Sequence, residues 1–357
     1  MYLFPSSQVR TDGVLKVLRT ALVLFAAALL AFSCGSNDDA APATGSGPGN
    51  VIAFGAEGPD GDGLYIVKPD GSGLRLLNAE PGFVSYPVWS PGGDRIAYVV
   101  GMPGGADPLR LRVYEFETAT AITISTLAVA DQFHAPATWS PAGRWLAVSV
   151  TMGQLRVHDV VGGGELISGP RLFGRSPSWS PDGEELAFVN DDEEGGLLVT
   201  DVGAGSPEVL MDRPGPEDGP RWSPDGELIV VTNGEEGEEA LLLVDRATGA
   251  VTELGRGLVP SWSPDSRRIV FSAPSDDGET DLDIFLVAIE GGARQTVSQS
   301  TTRDLWPTWS PDGNGVALLS RVDRQTALIC IVRFQPEERD CLELPGLLPT
   351  TPAWSPR

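Results

Sequence analysis

The sequence predicts an all-β protein, a seven-bladed β-propeller, and three observations lead to that class. The tripeptide Trp-Ser-Pro occurs seven times at intervals of 40 to 50 residues, a spacing typical of one four-stranded propeller blade. A polar turn and β-rich apolar runs follow each of the first six copies. The 43 glycines and 30 prolines supply the turns that many short strands need. The copies are centred on Trp89, Trp139, Trp179, Trp222, Trp262, Trp309 and Trp354.

Each copy reads as an inner strand followed by a tight turn. Proline stands two residues before tryptophan in six copies, and Ala137 takes that place before Trp139. Proline cannot donate a ladder hydrogen bond, so it belongs at a strand start or on an edge strand, and the innermost strand of a blade offers both. The turn is typically Ser-Pro-Asp-Gly, in which glycine takes the left-handed position; Ser266 replaces that glycine once.

The two ends of the repeat region are complementary. The region begins at Val51 with an apolar strand of the kind that follows the turn in the other repeats. It ends at Trp354 with an inner strand that carries Trp-Ser-Pro. We therefore expect the C-terminal strand to complete the first blade, which closes the ring and removes its free edges. The predicted propeller covers residues 51–357.

The unit Pro-x-Trp-Ser-Pro-Asp-Gly, followed by two apolar strands, resembles the TolB-type propeller repeat, and the resemblance covers residues 51–357. Similar repeats form the propellers of prolyl-oligopeptidase-like enzymes and of the tricorn protease. The resemblance implies the fold. It leaves activity open, because propellers serve in binding, in scaffolding and in catalysis.

The N-terminal segment has the features of a bacterial lipoprotein signal. Three cations precede an apolar run at 21–32, which is shorter than the roughly 20 residues that span a bilayer but suits a signal peptide. The run leads into Ala-Phe-Ser-Cys, which resembles a lipobox that ends at Cys34. We expect a signal peptide at 1–33 and a lipidated flexible linker at 34–50. The alternative is an ordinary cleaved signal peptide with an incidental cysteine.

This N-terminus predicts an extracytoplasmic protein that a lipid anchors to the bacterial cell membrane. Such a compartment permits disulfides. Cys330 and Cys341 lie in two apolar runs joined by a short polar connector, so we expect them to face each other in a hairpin and to be bonded. The alternative is two separate thiols on a strand pair.

The charge balance excludes one class of partner. There are 49 acidic against 25 basic residues and a formal net charge of −24. Nucleic-acid binding needs a basic patch, so we expect no nucleic-acid partner. We expect a monomer.

Candidate site residues lie where the outer strand of one blade crosses to the inner strand of the next, at the mouth of the central channel. Arginine, tryptophan and tyrosine are favoured in binding hot spots. The alternative is that the arginines pair with acidic loops on the same face. The candidates for ligand or partner binding are Tyr86, His134, Arg175, Asp218, Arg221, Arg303, Asp304 and Trp306.

Catalytic motifs are weak in this chain. It has no Gly-x-Ser-x-Gly elbow and only two histidines, and it lacks zinc-ligand spacing. We predict no catalytic residue, no metal and no cofactor. The first hypothesis is a non-enzymatic binding or scaffold protein that holds a peptide, glycan or protein partner. The alternative is a lyase or hydrolase of a polymer that uses the same mouth through His134.

Overall fold

The computed structural model describes residues 47–356, and all its regular elements there are β-strands. Twenty-nine strands, β1 to β29, form seven antiparallel sheets arranged as blades. The predicted seven-bladed β-propeller is therefore confirmed. The description has gaps at 60, 102–108, 127–136, 151–153, 167–172, 191–194, 203–205, 214–216, 235–237, 276–281 and 324.

The strands of the first four blades follow one another along the chain. In blade 1, β1 to β3 are Ile52–Glu57, Gly63–Val67 and Arg75–Ala79. In blade 2, β4 to β7 are Val84–Trp89, Arg95–Val100, Arg110–Glu115 and Thr120–Thr126. In blade 3, β8 to β11 are Ala137–Trp139, Trp145–Val150, Gln154–Asp159 and Glu165–Leu166. In blade 4, β12 to β15 are Arg175–Trp179, Glu185–Val189, Leu197–Asp201 and Glu208–Met211.

The remaining blades repeat this order, and the last two strands return to blade 1. In blade 5, β16 to β19 are Glu217–Trp222, Leu228–Asn233, Ala240–Asp245 and Val251–Arg256. In blade 6, β20 to β23 are Leu258–Trp262, Arg268–Pro274, Leu282–Ala288 and Gln295–Ser298. In blade 7, β24 to β27 are Arg303–Trp309, Gly315–Arg321, Ala327–Phe334 and Glu337–Cys341. The last two, β28 and β29, are Leu348–Pro349 and Ala353–Trp354.

Each of blades 2 to 7 runs from an inner strand A, which carries Trp-Ser-Pro, through strands B and C to an outer strand D. The B strands are apolar on both faces because each blade packs between two neighbours. Phe54, Tyr98, Phe188 and Phe271 occupy the same position in four B strands, and each is at most 1% exposed. The hydrophobic core is accordingly a series of layers between adjacent blades.

The C-terminal strands close the ring, as predicted. Both β28 and β29 pair antiparallel with β1, so they form an inner strand in two pieces for blade 1. Side chains reinforce the closure: the backbone N–H of Val51 donates to Ser355 Oγ at 3.1 Å, and Thr350 Oγ1 donates to the carbonyl oxygen of Val84 at 3.0 Å. The closing segment thereby bridges blades 1 and 2.

The hairpin that carries two cysteines differs in one respect from the expectation. Cys330 and Cys341 are direct partners across β26 and β27 and are joined by a disulfide. The sequence predicted a short polar connector between the two apolar runs that carry these cysteines. The outer strand instead ends at Cys341, because the polar run Glu337–Cys341 forms an outer strand whose side chains reach water.

Candidate binding site

A bulge recurs in the inner strands at the residue before proline. The register shifts there in five A strands of the described chain, between Ser85 and Val88 in blade 2 for example. Proline cannot continue the ladder, and a bulge re-aims the side chain beside it. The bulged residues have left-handed φ angles: Tyr86 (51°), Ser176 (51°), Gly219 (59°), Val259 (54°) and Trp306 (50°).

Three of these bulged residues are bulky, which makes the conformation costly. A left-handed φ costs an L-residue about 1–2 kcal/mol, and the β-branched Val259 is the least suited to it. The ring offsets part of this cost by pairing freed backbone groups between blades. The N–H of Tyr86 donates to Thr351 Oγ1 of blade 1 at 2.8 Å. Contacts between blades therefore maintain the strained backbone of these residues.

An open cavity of about 470 Å³ is lined by the inner strands of blades 1, 2, 5, 6 and 7 and by the turns that follow four of them. Its lining falls into three layers from the bulge toward the Ser-Pro turns. The first layer is Tyr86, Val259, Trp306 and Thr351. The second layer, one residue before each tryptophan, is Val88, Arg221, Ser261, Thr308 and Ala353. The third layer, at the turns, is Pro91, Pro264, Pro311 and Pro356.

Arg221 is the one side chain charged at neutral pH among the described residues that line this cavity. It is partly buried in strand β16, and its Nη1 donates to the carbonyl oxygen of Pro220 at 2.9 Å. The other lining residues are aromatic, aliphatic, proline, serine or threonine. The cavity therefore presents one cation within a neutral wall, although the whole chain is strongly acidic.

The repeated tryptophans tie each blade to the one before it. In five blades the indole Nε1 donates to a backbone carbonyl oxygen of the preceding inner strand. The pairs are Trp89 to Ala353 (3.1 Å), Trp139 to Val88 (3.1 Å), Trp222 to Ser178 (3.1 Å), Trp262 to Arg221 (2.9 Å) and Trp309 to Ser261 (3.0 Å). Each acceptor is the residue directly before the tryptophan of the preceding inner strand, so these bonds fix the backbone of the inner strands.

The turns that follow the tryptophans are organised by a buried serine hydroxyl. Ser310 Oγ donates to Asp312 Oδ1 at 2.5 Å and accepts from the N–H of Gly315 at 3.0 Å. The hydrogen bond from Ser310 and that from the Asn314 N–H hold the pKa of Asp312 below its usual range. In blade 6 the hydrogen bond from Ser263 likewise lowers the pKa of Asp265. These carboxylates stabilise the turns.

The structure separates the predicted site residues into distinct groups. Tyr86, Arg221 and Trp306 line the cavity. Arg175 and Arg303 are the first residues of strands β12 and β24, before the bulge, and neither belongs to the cavity lining. Of the three candidate arginines, Arg221 is the one found among the described residues that line the cavity.

Two further candidates fall partly or wholly outside the description. His134 lies outside the described residues. Asp218 belongs to strand β16 through its backbone pairing with Thr232, but its side chain lies outside the description.

Asp304 requires a correction, because it is fully buried and does not reach the channel. Its carboxylate accepts hydrogen bonds from Ser298 Oγ at 2.6 Å, Ser320 Oγ at 2.7 Å and Arg339 Nη2 at 3.2 Å. These partners come from strand D of blade 6 and strands B and D of blade 7. Asp304 thus anchors the crossing between two blades.

A second carboxylate of this kind was not foreseen. Glu80, just after strand β3, is 6% exposed and accepts hydrogen bonds from Arg112 Nη1 at 2.6 and 2.7 Å and from Tyr98 Oη at 2.6 Å. Burial, followed by the hydrogen bond to Glu80, raises the pKa of Tyr98. The network joins blade 1 to blade 2. No local motif signals it, because its partners lie 18 and 32 residues from Glu80 in the sequence.

The fold and the cavity define a closed seven-bladed propeller with a mostly neutral axial channel. The model of the TolB beta propeller domain matches residues 165–357, and the chain belongs to that family.

Comparisons with individual proteins agree on the fold. TolB from Acinetobacter baumannii is 18% identical, with a TM-score of 0.59 over 87% of this chain and 68% of that chain. A chain in the Mitotic Checkpoint Complex is 20% identical, with a TM-score of 0.58 over 79% of this chain and 87% of that chain. These likenesses show the fold alone.

One curated protein matches part of the sequence. Dipeptidyl-peptidase 5 of Porphyromonas endodontalis is 27% identical over 89 residues, which are 24% of this chain and 13% of that protein. The matched stretch is therefore a small part of the peptidase. A TolB-like propeller supports a binding or scaffold role.

Proposed function

We propose that this chain is a non-enzymatic binding or scaffold protein, held by a lipid on the extracytoplasmic side of the bacterial cell membrane. It takes a segment of a protein or peptide partner at the channel mouth. The observation that carries the proposal is the axial cavity, whose first layer holds Tyr86 and Trp306 in strained left-handed conformations. Strain that a fold maintains beside a cavity is typical of a binding site.

The size and chemistry of the cavity support a bound segment. A volume of about 470 Å³ lies within the range of about 300–1,000 Å³ that ligand sites occupy. Aromatic and proline side chains provide rigid apolar contact, while Ser261 and Thr308 offer hydroxyl groups in the second layer. A few polar groups within an apolar wall are typical of recognition with defined orientation. A protein or peptide is favoured over a glycan because the checkpoint-complex chain with the same fold works within a protein assembly.

A photo-crosslinking experiment tests this binding role in the cell that makes the protein. Benzoylphenylalanine replaces Tyr86 in the full chain, and in a matched control it replaces Val209, which is 58% exposed on outer strand β15. We expect a discrete adduct from position 86 only. Excess native protein should compete it away, whereas the Tyr86→Ala/Trp306→Ala double variant should not. Identical adducts from both positions, or none from position 86, would contradict the proposal.

The lipid anchor is supported by the sequence around Cys34, which follows a short apolar run and precedes a glycine- and alanine-rich linker. Within the described part of the chain there is no helix of the length and apolarity that a membrane crossing needs. Intact-mass measurement of the mature native protein decides the point. We expect an N-terminus at Cys34 that carries acyl mass, and the loss of that mass in Cys34→Ser. A mature N-terminus elsewhere, without acyl mass, would contradict the anchor.

A further inference from the structure

We infer that the cavity takes a proline-rich segment of its partner. In this complex the indole Nε1 of Trp306 donates a hydrogen bond to a carbonyl oxygen of that segment. The inference rests on the proposed binding function and names the class of segment that the site recognises. It starts from Trp306, which lines the cavity with a left-handed φ of 50°. The Nε1 atom of Trp306 is buried and has no hydrogen-bond partner in the described part of the chain.

The unpaired donor of Trp306 differs from the donors of most repeat tryptophans. An indole N–H can only donate, and a buried donor without an acceptor destabilises the protein that carries it. Trp89, Trp262 and Trp309 avoid this cost, because their Nε1 atoms donate to the preceding inner strand at 2.9 to 3.1 Å. Trp306 lies in the first layer of the cavity, where a bound segment can supply the acceptor. Because its Nε1 is covered in this structure, the indole turns toward the cavity when the segment binds.

Many acceptors of the cavity wall are already engaged within the protein. In the second layer, four backbone carbonyl oxygens each accept a hydrogen bond from the indole of the next blade. They belong to Val88, Arg221, Ser261 and Ala353. In the first layer, Thr351 Oγ1 accepts from the N–H of Tyr86. A segment that brings many N–H donors would therefore compete for acceptors that already have one.

Proline fits this balance of donors and acceptors. It carries a backbone carbonyl but no N–H, so each proline in a segment removes one donor that the cavity would have to satisfy. A proline-rich segment adopts the polyproline II conformation, which has no internal hydrogen bonds and leaves its carbonyl oxygens free to accept. Such segments bind in aromatic-lined sites, and Tyr86 and Trp306 supply aromatic rings in the first layer. The lining therefore favours a proline-rich segment over one with an ordinary content of N–H groups.

Two pools of uncharged hexapeptides test the inference on the purified native chain. Both pools are acetylated at the N-terminus, amidated at the C-terminus and free of charged residues, so neither depends on ionic contacts. The first pool has proline at alternate positions, and the second has alanine at the same positions. Because alanine restores the N–H groups and loosens the polyproline II conformation, we expect the native chain to bind the first pool about tenfold tighter. Calorimetric titration measures the two affinities.

Substitutions of tryptophan by phenylalanine test the role of the indole donor. Trp306→Phe keeps an aromatic ring and removes the N–H, so we expect it to bind the proline pool about fivefold more weakly. Trp179→Phe is the matched control. It removes another buried indole N–H without a partner in the described chain, from a residue that is not among those lining the cavity, and it should keep the native affinity. In nitrogen-15 NMR spectra, the indole signal that Trp306→Phe removes should shift when the native chain binds the proline pool. Thermal melts establish that both variants are folded.

The possible outcomes distinguish this inference from the binding function. Equal affinities of the native chain for the two pools overturn the proline preference and leave binding at the mouth intact. Native affinity in Trp306→Phe, or an indole signal that does not shift, overturns the donor role of Trp306. Absence of binding to both pools overturns the whole inference. In that case the crosslink at position 86 separately shows whether the mouth holds a partner.

Discussion

The indole Nε1 of Trp262 donates to the backbone carbonyl oxygen of Arg221 at 2.9 Å, which ties blade 6 to the cationic position of the channel. The bond connects two roles of the repeat. Tryptophan packs in the layer between blades, where it is 9% exposed, and its polar atom fixes the inner strand of the preceding blade. The same residue therefore contributes to ring stability and to the geometry of the cavity.

Trp262→Phe should lower the stability of the propeller. The substitution keeps an aromatic ring in the layer but removes the donor, so the carbonyl of Arg221 loses its partner from blade 6. We expect a loss of about 1–2 kcal/mol in the free energy of unfolding. Urea unfolding followed by tryptophan fluorescence measures it.

Trp179→Phe is the matched control, because the Nε1 atom of Trp179 is buried without a partner in the described part of the chain. The two substitutions remove the same atoms from equivalent positions, so they share the cost of lost packing. Only the first should break a hydrogen bond, and Trp179→Phe should therefore be the milder by about 1 kcal/mol. Equal losses would show that the indole bonds do not stabilise the ring.

Ser266 replaces the turn glycine of blade 6, and its hydroxyl has a partner. It has a left-handed φ of 59°, and its Oγ accepts a hydrogen bond from the N–H of Asp225 in the turn of blade 5 at 3.0 Å. Ser266→Ala removes the bond and keeps the backbone strain, so we expect a loss of about 1 kcal/mol. Ser266→Gly removes both and should be closer to neutral. A glycine variant less stable than the alanine variant would contradict this account.

The lowered pKa values of the turn aspartates predict that the propeller loses stability in acid. Because their folded pKa is lowered by the serine hydrogen bonds, Asp265 and Asp312 contribute stability that is complete above their unfolded pKa. That contribution is lost as the pH falls below the ordinary aspartate range and through the lowered folded pKa. Asp312→Asn should therefore unfold with a weaker pH dependence below about pH 4. Urea midpoints between neutral and acidic pH measure this.

A second variant provides the charge control for that measurement. Glu253→Gln removes one negative charge from outer strand β19, away from the Ser-Pro turns. It should retain the pH dependence of the parent chain. If both variants show the same change, the effect comes from net charge and not from the turn.

Much of the fold could be predicted because the same local sequence pattern occurs seven times along the chain. The inner-strand proline and the turn residues each have a local backbone reason that does not depend on distant residues. The outer strand Glu337–Cys341 was misplaced because it is polar, and an edge strand that faces water does not need an apolar pattern. Local pattern therefore predicts inner and middle strands better than outer ones.

The candidate site residues could be predicted only where their position in the inner strand determines whether they line the cavity. Tyr86 and Trp306 stand before the inner-strand proline, and Arg221 stands before tryptophan, so the repeat itself places them at the cavity. Arg303 lies before the bulge in strand β24 and is not among the residues that line the cavity. The burial of Asp304 depends on partners such as Arg339, 35 residues away, which no spacing rule reveals.

Deletion of 352–357 should open the ring. The deletion removes β29, the Ser355 hydroxyl that accepts from Val51, and the carbonyl of Ala353 that accepts from Trp89 at 3.1 Å. Strand β1 then loses half of its inner partner and exposes backbone groups that can pair with other chains. We expect a lower melting temperature, a broader transition and concentration-dependent aggregation in light scattering. Thr350→Val, which keeps the strand and removes the hydroxyl bonded to Val84, is the control and should stay monodisperse with a small stability loss. A truncated chain that melts like the parent would show that the C-terminal strand does not close the ring.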